Sequence, residues 1–113
     1  MDAVFAYVPC SDHAEAEKIG RAVLGDRLAA CVNIYDTMHS IYHWQGVLEE
    51  SREAVLIIKT RKALAEQLIS RVRELHSYSV ACILIFPALT GNSEYLEWLD
   101  RETANGVSSR QKE

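Results

Sequence analysis

Two long apolar arms around a short turn constrain this chain more than any other feature. The first arm, ACVNIYDTMHSIYHW, runs from Ala30 to Trp44, and the second, VLEESREAVLIIKT, from Val47 to Thr60. Gln45-Gly46 lies between them and serves as a two-residue hairpin loop. Val32 and Ile34 follow Ala30 at the two-residue alternation of a strand, and Asp36-Thr37-Met38 interrupts the pattern before it resumes. Each arm has about fifteen residues, against about five or six in an ordinary strand. At about 3.3 Å per residue, such arms reach roughly 45–50 Å. A compact domain of this length has a radius of gyration of only about 13 Å. The hairpin is therefore expected to project past its own domain. Its tip carries Ile41, Tyr42, Trp44, Val47 and Leu48, an apolar set that a lone ribbon would leave in water. A neighbouring subunit that covers the ribbon removes the difficulty, so Tyr42 and Trp44 are read as interface residues.

The rest of the chain supplies the frame. AVFAYV (Ala3–Val8) reads as a first strand, apolar enough to be buried on both faces. A helix follows, opened by Asp12 with Glu15 in capping-box spacing and ended near Gly25. Ala16, Ile19, Gly20 and Val23 mark its buried face. A second helix over TRKALAEQLISRVRELH carries Leu64, Leu68, Val72 and Leu75 on one side. ACILIFPAL reads as a fourth strand, stopped at Pro87 because proline has no N–H for a ladder. GNSEYLEWLDRET makes a short last helix capped by Asn92 or Ser93. The order β-α-β-β-α-β plus a terminal helix is the α+β, ferredoxin-like arrangement. Residues 1–104 form one domain, and the polar stretch 105–113 reads as a frayed tail.

Composition excludes several classes. The net charge of −4 and the scattered basic residues argue against a nucleic-acid binder. No apolar run approaches the roughly 20 residues of a membrane span. The early acid at Asp2 and the lack of a basic leader point to the cytosol. Three cysteines, Cys10, Cys31 and Cys82, are an odd count with no CxxC pair, as in a reduced compartment. Cys31 and Cys82 sit in apolar runs and read as buried small hydrophobes. Cys10, in PCSD, reads as a loop thiol open to reaction or metal binding.

Several blocks in order now carry a resemblance. RLAACVNI, SIYHWQGVLEE, EAVLIIKT, HSY and GNSEYLEWL, together spanning most of Val4 to Leu99, are similar to the CutA family of divalent-cation tolerance proteins. The resemblance implies a ferredoxin-like fold, a homotrimer built through the long hairpin, and an architecture like that of the P-II signalling proteins. The chain also departs from the family. Tyr35-Asp36-Thr37 stands where the family has Pro-Gly, and His76-Ser77-Tyr78-Ser79-Val80-Ala81-Cys82 lacks both prolines and both acids of the family's H-P-Y-E-x-P-E block. A metal site in some members uses a cysteine late in the first strand and two adjacent histidines. The matching positions here are Val8, Leu75 and His76, so His76 is the candidate ligand for Cu(II) or another divalent ion.

The four histidines, His13, His39, His43 and His76, show no chelating spacing of their own. His39 and His43 would lie about 13 Å apart on one strand face. His76, after a helix, could equally hold a structural place. Lys59, at the end of an apolar strand, is either a snorkelling lysine or the cation of an intersubunit pocket with Tyr42, Trp44, Glu53, His76, Tyr78 and Trp98. Trp98 could instead be core, since Tyr95, Trp98 and Leu99 share helical spacing. Glu49-Glu50 reads as a solvated hairpin flank. There is no G-x-S-x-G and no Gly-rich phosphate loop, so no catalytic apparatus is legible. The expected function is a non-catalytic trimer in the response to metal ions. The alternative is a P-II-like sensor trimer that binds a small anionic ligand in the intersubunit pocket. An enzyme is the third class, for which phosphate-ester turnover sensitive to Lys59→Ala would speak.

Overall fold

The computed structural model describes the backbone of residues 1–112 and the side chains through Ala104. The last helix, expected to be short and to end near Thr103 before a frayed tail over 105–113, runs on as far as Lys112, while the side chains of 105–113 lie outside the described residues. The elements are β1 (Ala3–Cys10), α1 (His13–Gly25), β2 (Cys31–Trp44), β3 (Val47–Arg61), a 3-10 turn at Lys62–Leu64, α2 (Ala65–Leu75), β4 (Leu84–Pro87) and α3 (Ser93–Lys112). They form one antiparallel sheet in the order β2-β3-β1-β4. This is the ferredoxin-like α+β arrangement that the element order predicts.

Helices α1 and α2 cover one face of the sheet. Ala6, Val8, Leu56 and Ile58 point to that side and are fully buried against Ile19, Val23, Leu68 and Val72. Gly20 makes the contact between α1 and β2 close, since a Cβ there would stand 3.0 Å from Val32 Cγ2. The start of α1 is capped as expected, with Glu15 N–H donating to Asp12 Oδ1 at 2.8 Å. Glu15 reaches one residue further back than a capping box requires and accepts from Ser11 N–H at 2.9 Å.

The hairpin has the expected length, with strands of 14 and 15 residues. Gln45 (φ 51°) and Gly46 (φ 81°) turn it with positive φ at both central positions, the type I′ signature. β1 pairs with β3 only from Ala54 to Arg61. Val47 to Glu53 therefore pair with β2 alone, and their other edge is open. The radius of gyration is 14.8 Å and the long axis 44 Å, more extended than the compact-domain value of about 13 Å.

The interruption at Asp36-Thr37 is a bulge. Tyr35 faces Val55 and Met38 faces Glu53, so β2 spends one more residue than β3 between the two pairs. Thr37 takes φ 66°, an uncommon conformation for a β-branched residue. The extra residue flips the alternation. Without it, Met38, Ser40, Tyr42 and Trp44 would point to the helix side. With it, they share the opposite face with Glu49 and Glu53.

Five local expectations are corrected. β1 continues to Cys10 because β3 is long enough to pair with Pro9 and Cys10. Cys10 is therefore not a loop thiol but a fully buried strand residue. β4 is shorter than ACILIFPAL, covering Leu84–Pro87 opposite Val4–Tyr7. Cys82 precedes it and is exposed, while Cys31 is half-buried on the face away from α1 and α2, opposite Lys59.

Candidate functional site

On the face that α1 and α2 leave open, the hairpin, β1 and the chain after α2 enclose a cleft of about 520 Å³. Met38, Ser40, Tyr42 and Trp44 of β2 form one wall, and Glu49 and Glu53 of β3 stand beside them. Tyr7 and Pro9 of β1 and the segment Tyr78–Val80 with Cys82 complete it. Tyr7 donates its hydroxyl proton to Met38 Sδ at 3.2 Å, and Tyr78 donates to Glu53 Oε2 at 2.9 Å.

Of the residues that the sequence singles out, Tyr42, Trp44, Glu53 and Tyr78 meet in this cleft. His76 stands behind it, with its ring centroid 4.7 Å from that of Tyr78. Lys59 and Trp98 lie elsewhere within one chain. Lys59 Nζ sits 5.6 Å from the Tyr95 ring centroid, and the Trp98 ring packs against Tyr95 with centroids 5.5 Å apart. The reason is the path of α3. Arg61 donates to Thr103 Oγ1 at 2.9 Å and to the Asp100 carbonyl at 2.7 Å, which docks α3 over the end of β3 that carries Lys59. Leu99 is buried there.

His76 is built into the loop that presents Tyr78. Its Nε2 faces the Pro9 carbonyl at 2.8 Å and must donate, while its Nδ1 accepts from Tyr78 N–H at 3.1 Å. Cys10 and Glu15 stand close by, and one ligand atom from each of the three residues lies within 4.8 Å of the others. Glu15 is already engaged, by Ser11 N–H, the Ser11 hydroxyl and Ser77 N–H. Burial opposes its charge, but those hydrogen bonds prevail and hold the carboxyl at about 2. The Cys10 thiol is pushed up to about 12, first by burial and then by the charges of Glu15, Glu53 and Asp12.

The ionisable groups around the cleft shift the same way. The Tyr7 and Tyr78 phenols and the Cys82 thiol are all raised, chiefly by burial, with the Glu53 carboxylate contributing to each. None is activated as a nucleophile.

The model described as CutA1 divalent ion tolerance protein matches residues 4–102. The chain belongs to the CutA1 divalent ion tolerance family. It is 42% identical to Protein CutA of Homo sapiens over 103 residues, 91% of this chain and 57% of that protein. It is 44% identical to the divalent-cation tolerance protein CutA of Thermus thermophilus over 88 residues, 78% and 85% of the two chains. The chain thus spans under two thirds of the length of the human relative. Among solved structures, CutA1 from Oryza sativa superposes with a TM-score of 0.88 at 34% identity, covering 91% of this chain and 94% of that one. The Thermus thermophilus protein gives 0.87 at 39%, covering 89% and 98%. Relatives include the chloroplastic protein CutA of Arabidopsis thaliana and the periplasmic divalent cation tolerance protein CutA of Archaeoglobus fulgidus. Among the described residues, no helix is long and apolar enough to cross a membrane.

The metal site implied by the CutA resemblance does not fit the donors present. Coordination by a histidine needs a free ring lone pair, and both His76 nitrogens are committed. A cysteine ligand must be a thiolate, and burial together with the charges of Glu15, Glu53 and Asp12 opposes that charge on Cys10 unless a cation offsets it. The resemblance and the spacing rules both missed the Cys10–Glu15–His76 cluster. Its members come from β1, α1 and the end of α2, and only tertiary packing unites them.

Proposed function

We propose that this chain works as a non-catalytic homotrimer in divalent-ion tolerance, in the cytosol, with the cleft between hairpin and loop as its ligand site at the subunit boundary. The hairpin carries this reading. Beyond Glu53 it pairs with nothing but itself, its Val47–Arg52 edge is open, and Ile41, Tyr42, Trp44, Val47 and Leu48 are exposed together. A long apolar edge of this kind is an aggregation hazard unless another chain covers it. Phe5, Leu84 and Phe86 on the same open face add to the uncovered apolar area. The raised thiol and phenols of the cleft favour binding over catalysis.

The sensor reading, a trimer that responds to a small ligand, is favoured by the cleft itself. Native mass spectrometry with and without stoichiometric Cu(II) tests both readings. The expected result is a trimer whose Cu(II) uptake, if any, is unchanged in His76→Ala. A fixed copper load lost in that variant would return His76 to the metal reading. A clean monomer would overturn the trimer.

A further inference from the structure

Glu53 is a mostly buried carboxylate, 9% exposed, with no cationic side chain paired to it among the described residues. Its hydrogen-bond partner is the Tyr78 hydroxyl on Oε2, and Oε1 accepts from no protein group among the described residues. Buried carboxylates are ordinarily paired, because leaving the charge alone in a poorly solvated place is costly. Glu53 lines the cleft, and none of the other residues around it is a Lys, Arg or His.

We propose that the cleft binds a small organic cation, a primary or quaternary ammonium group, with Glu53 as its counter-charge and Tyr42, Trp44 and Tyr78 as its walls. The proposal rests on reading the cleft as the ligand site. It reverses the charge expected from Lys59, which lies with Tyr95 instead. Aromatic rings and one carboxylate suit an alkylammonium ion, since ring faces attract a cation and give its alkyl groups an apolar surface to pack on. An inorganic divalent ion suits the cleft less well. Glu49 and Glu53 are four residues apart on one strand, about 13 Å, and such an ion needs several oxygens converging on it. An anion would meet two carboxylates and no cation.

The test is an NMR titration of the full chain at low salt with n-hexylammonium and with n-hexanol, which has the same chain length and no charge. Native mass is recorded for every sample. The expected result is saturable binding of one hexylammonium per chain, at least tenfold tighter than hexanol. Glu53→Gln should abolish the preference for the cation. Trp44→Leu should weaken the ammonium several-fold and change hexanol little. Equal binding of the two probes, binding of neither, or a cation preference that survives Glu53→Gln overturns the proposal. If Glu53→Gln does not fold, the wild-type comparison and Trp44→Leu still decide it. A trimer that binds neither probe overturns the cation site and leaves the oligomer standing. A monomer that prefers the cation does the reverse. If Glu53→Gln loosens the trimer while the wild type shows no cation preference, the missing charge comes from a neighbouring copy and the proposal falls.

Discussion

The Tyr78 hydroxyl donates to Glu53 Oε2 at 2.9 Å and so ties the loop after α2 to the middle of β3. The bond spans an interval in which neither element pairs with the other as a strand. It also explains why β4 begins only at Leu84, since the chain from Tyr78 to Cys82 walls the cleft instead of extending alongside β1. Burial, reinforced by the bond to Glu53, raises the Tyr78 phenol, so the donor keeps its proton throughout the neutral range.

Tyr78→Phe removes that donor and keeps the ring. It leaves Glu53 with no protein hydrogen bond. The expected loss is about 1–3 kcal/mol in urea unfolding, the cost of orphaning a buried polar group. An unchanged midpoint would mean that water replaces the hydroxyl without penalty.

The Gln45-Gly46 turn gives a second prediction. Gly46 at φ 81° should resist any side chain, and Gly46→Ala should lower stability by about 1–2 kcal/mol. Gln45→Asn, better suited to positive φ, should raise the thermal midpoint slightly. Differential scanning calorimetry of the two variants checks the pair, and the signs should be opposite.

Much of this frame is legible in the residues. The period of α1 and α2, the Asp12 cap and the Gln-Gly turn each follow from local chemistry that tertiary contacts do not override. The site is legible only in part. Tyr42, Trp44, Glu53 and Tyr78 stand out in the sequence and do meet in one cleft, but the face on which they meet depends on the bulge. Asp36-Thr37 carries no glycine to announce a positive φ, so simple alternation would turn Tyr42 and Trp44 the other way. Lys59 escapes the expected pocket for a different reason. Its strand position is as expected, but the route of α3 across it is set by Arg61 reaching Thr103 and Asp100, contacts 39 or more residues away in sequence. Cys10 reads as a loop thiol because Pro9 normally ends a strand. Here β4 reaches only Val4–Tyr7, so Pro9 lies past it and leaves no strand on that side without a donor.

The trimer reading predicts that Trp44→Asp gives monomers or aggregates. Trp44 is 44% exposed on one chain, and a charge there would oppose burial against a neighbour. Size-exclusion chromatography with light scattering is the measurement. A stable, soluble trimer from this variant would remove Trp44 from the interface.

His13 should titrate above the usual imidazole value of about 6.5. The hydrogen bond to Asp36 is the main cause, with Nδ1 and Oδ1 2.7 Å apart, followed by the charge of that carboxylate. Because the folded pKa is raised, any stability from this pair is fully present below the unfolded value and is lost as pH rises through the folded one. NMR titration of the His13 ring should show the raised midpoint, and Asp36→Asn should bring it down. A midpoint that ignores Asp36→Asn would show that the contact does not persist in solution.

Glu15 gives the opposite dependence. Burial alone would raise its carboxyl, yet hydrogen bonds from Ser11 and Ser77 hold it at about 2, well below the usual carboxylate range. A depressed folded pKa means that its stabilisation is present above the unfolded value of about 4.3 and is lost as pH falls toward 2. The loss should be local as well as global. Glu15 accepts from Ser77 N–H at 2.8 Å, and His76 and Tyr78 flank that residue, so protonation should release the loop that holds the cleft wall. Hydrogen exchange followed from pH 5 to pH 2.5 should show the amides of Ser77 and Tyr78 losing protection before those of Leu56 and Ile58 in the core. Glu15→Gln should show the weakened loop already at neutral pH and a shallower fall in stability across the acid range. If the variant keeps the wild-type acid profile, the carboxylate that governs acid unfolding is another one.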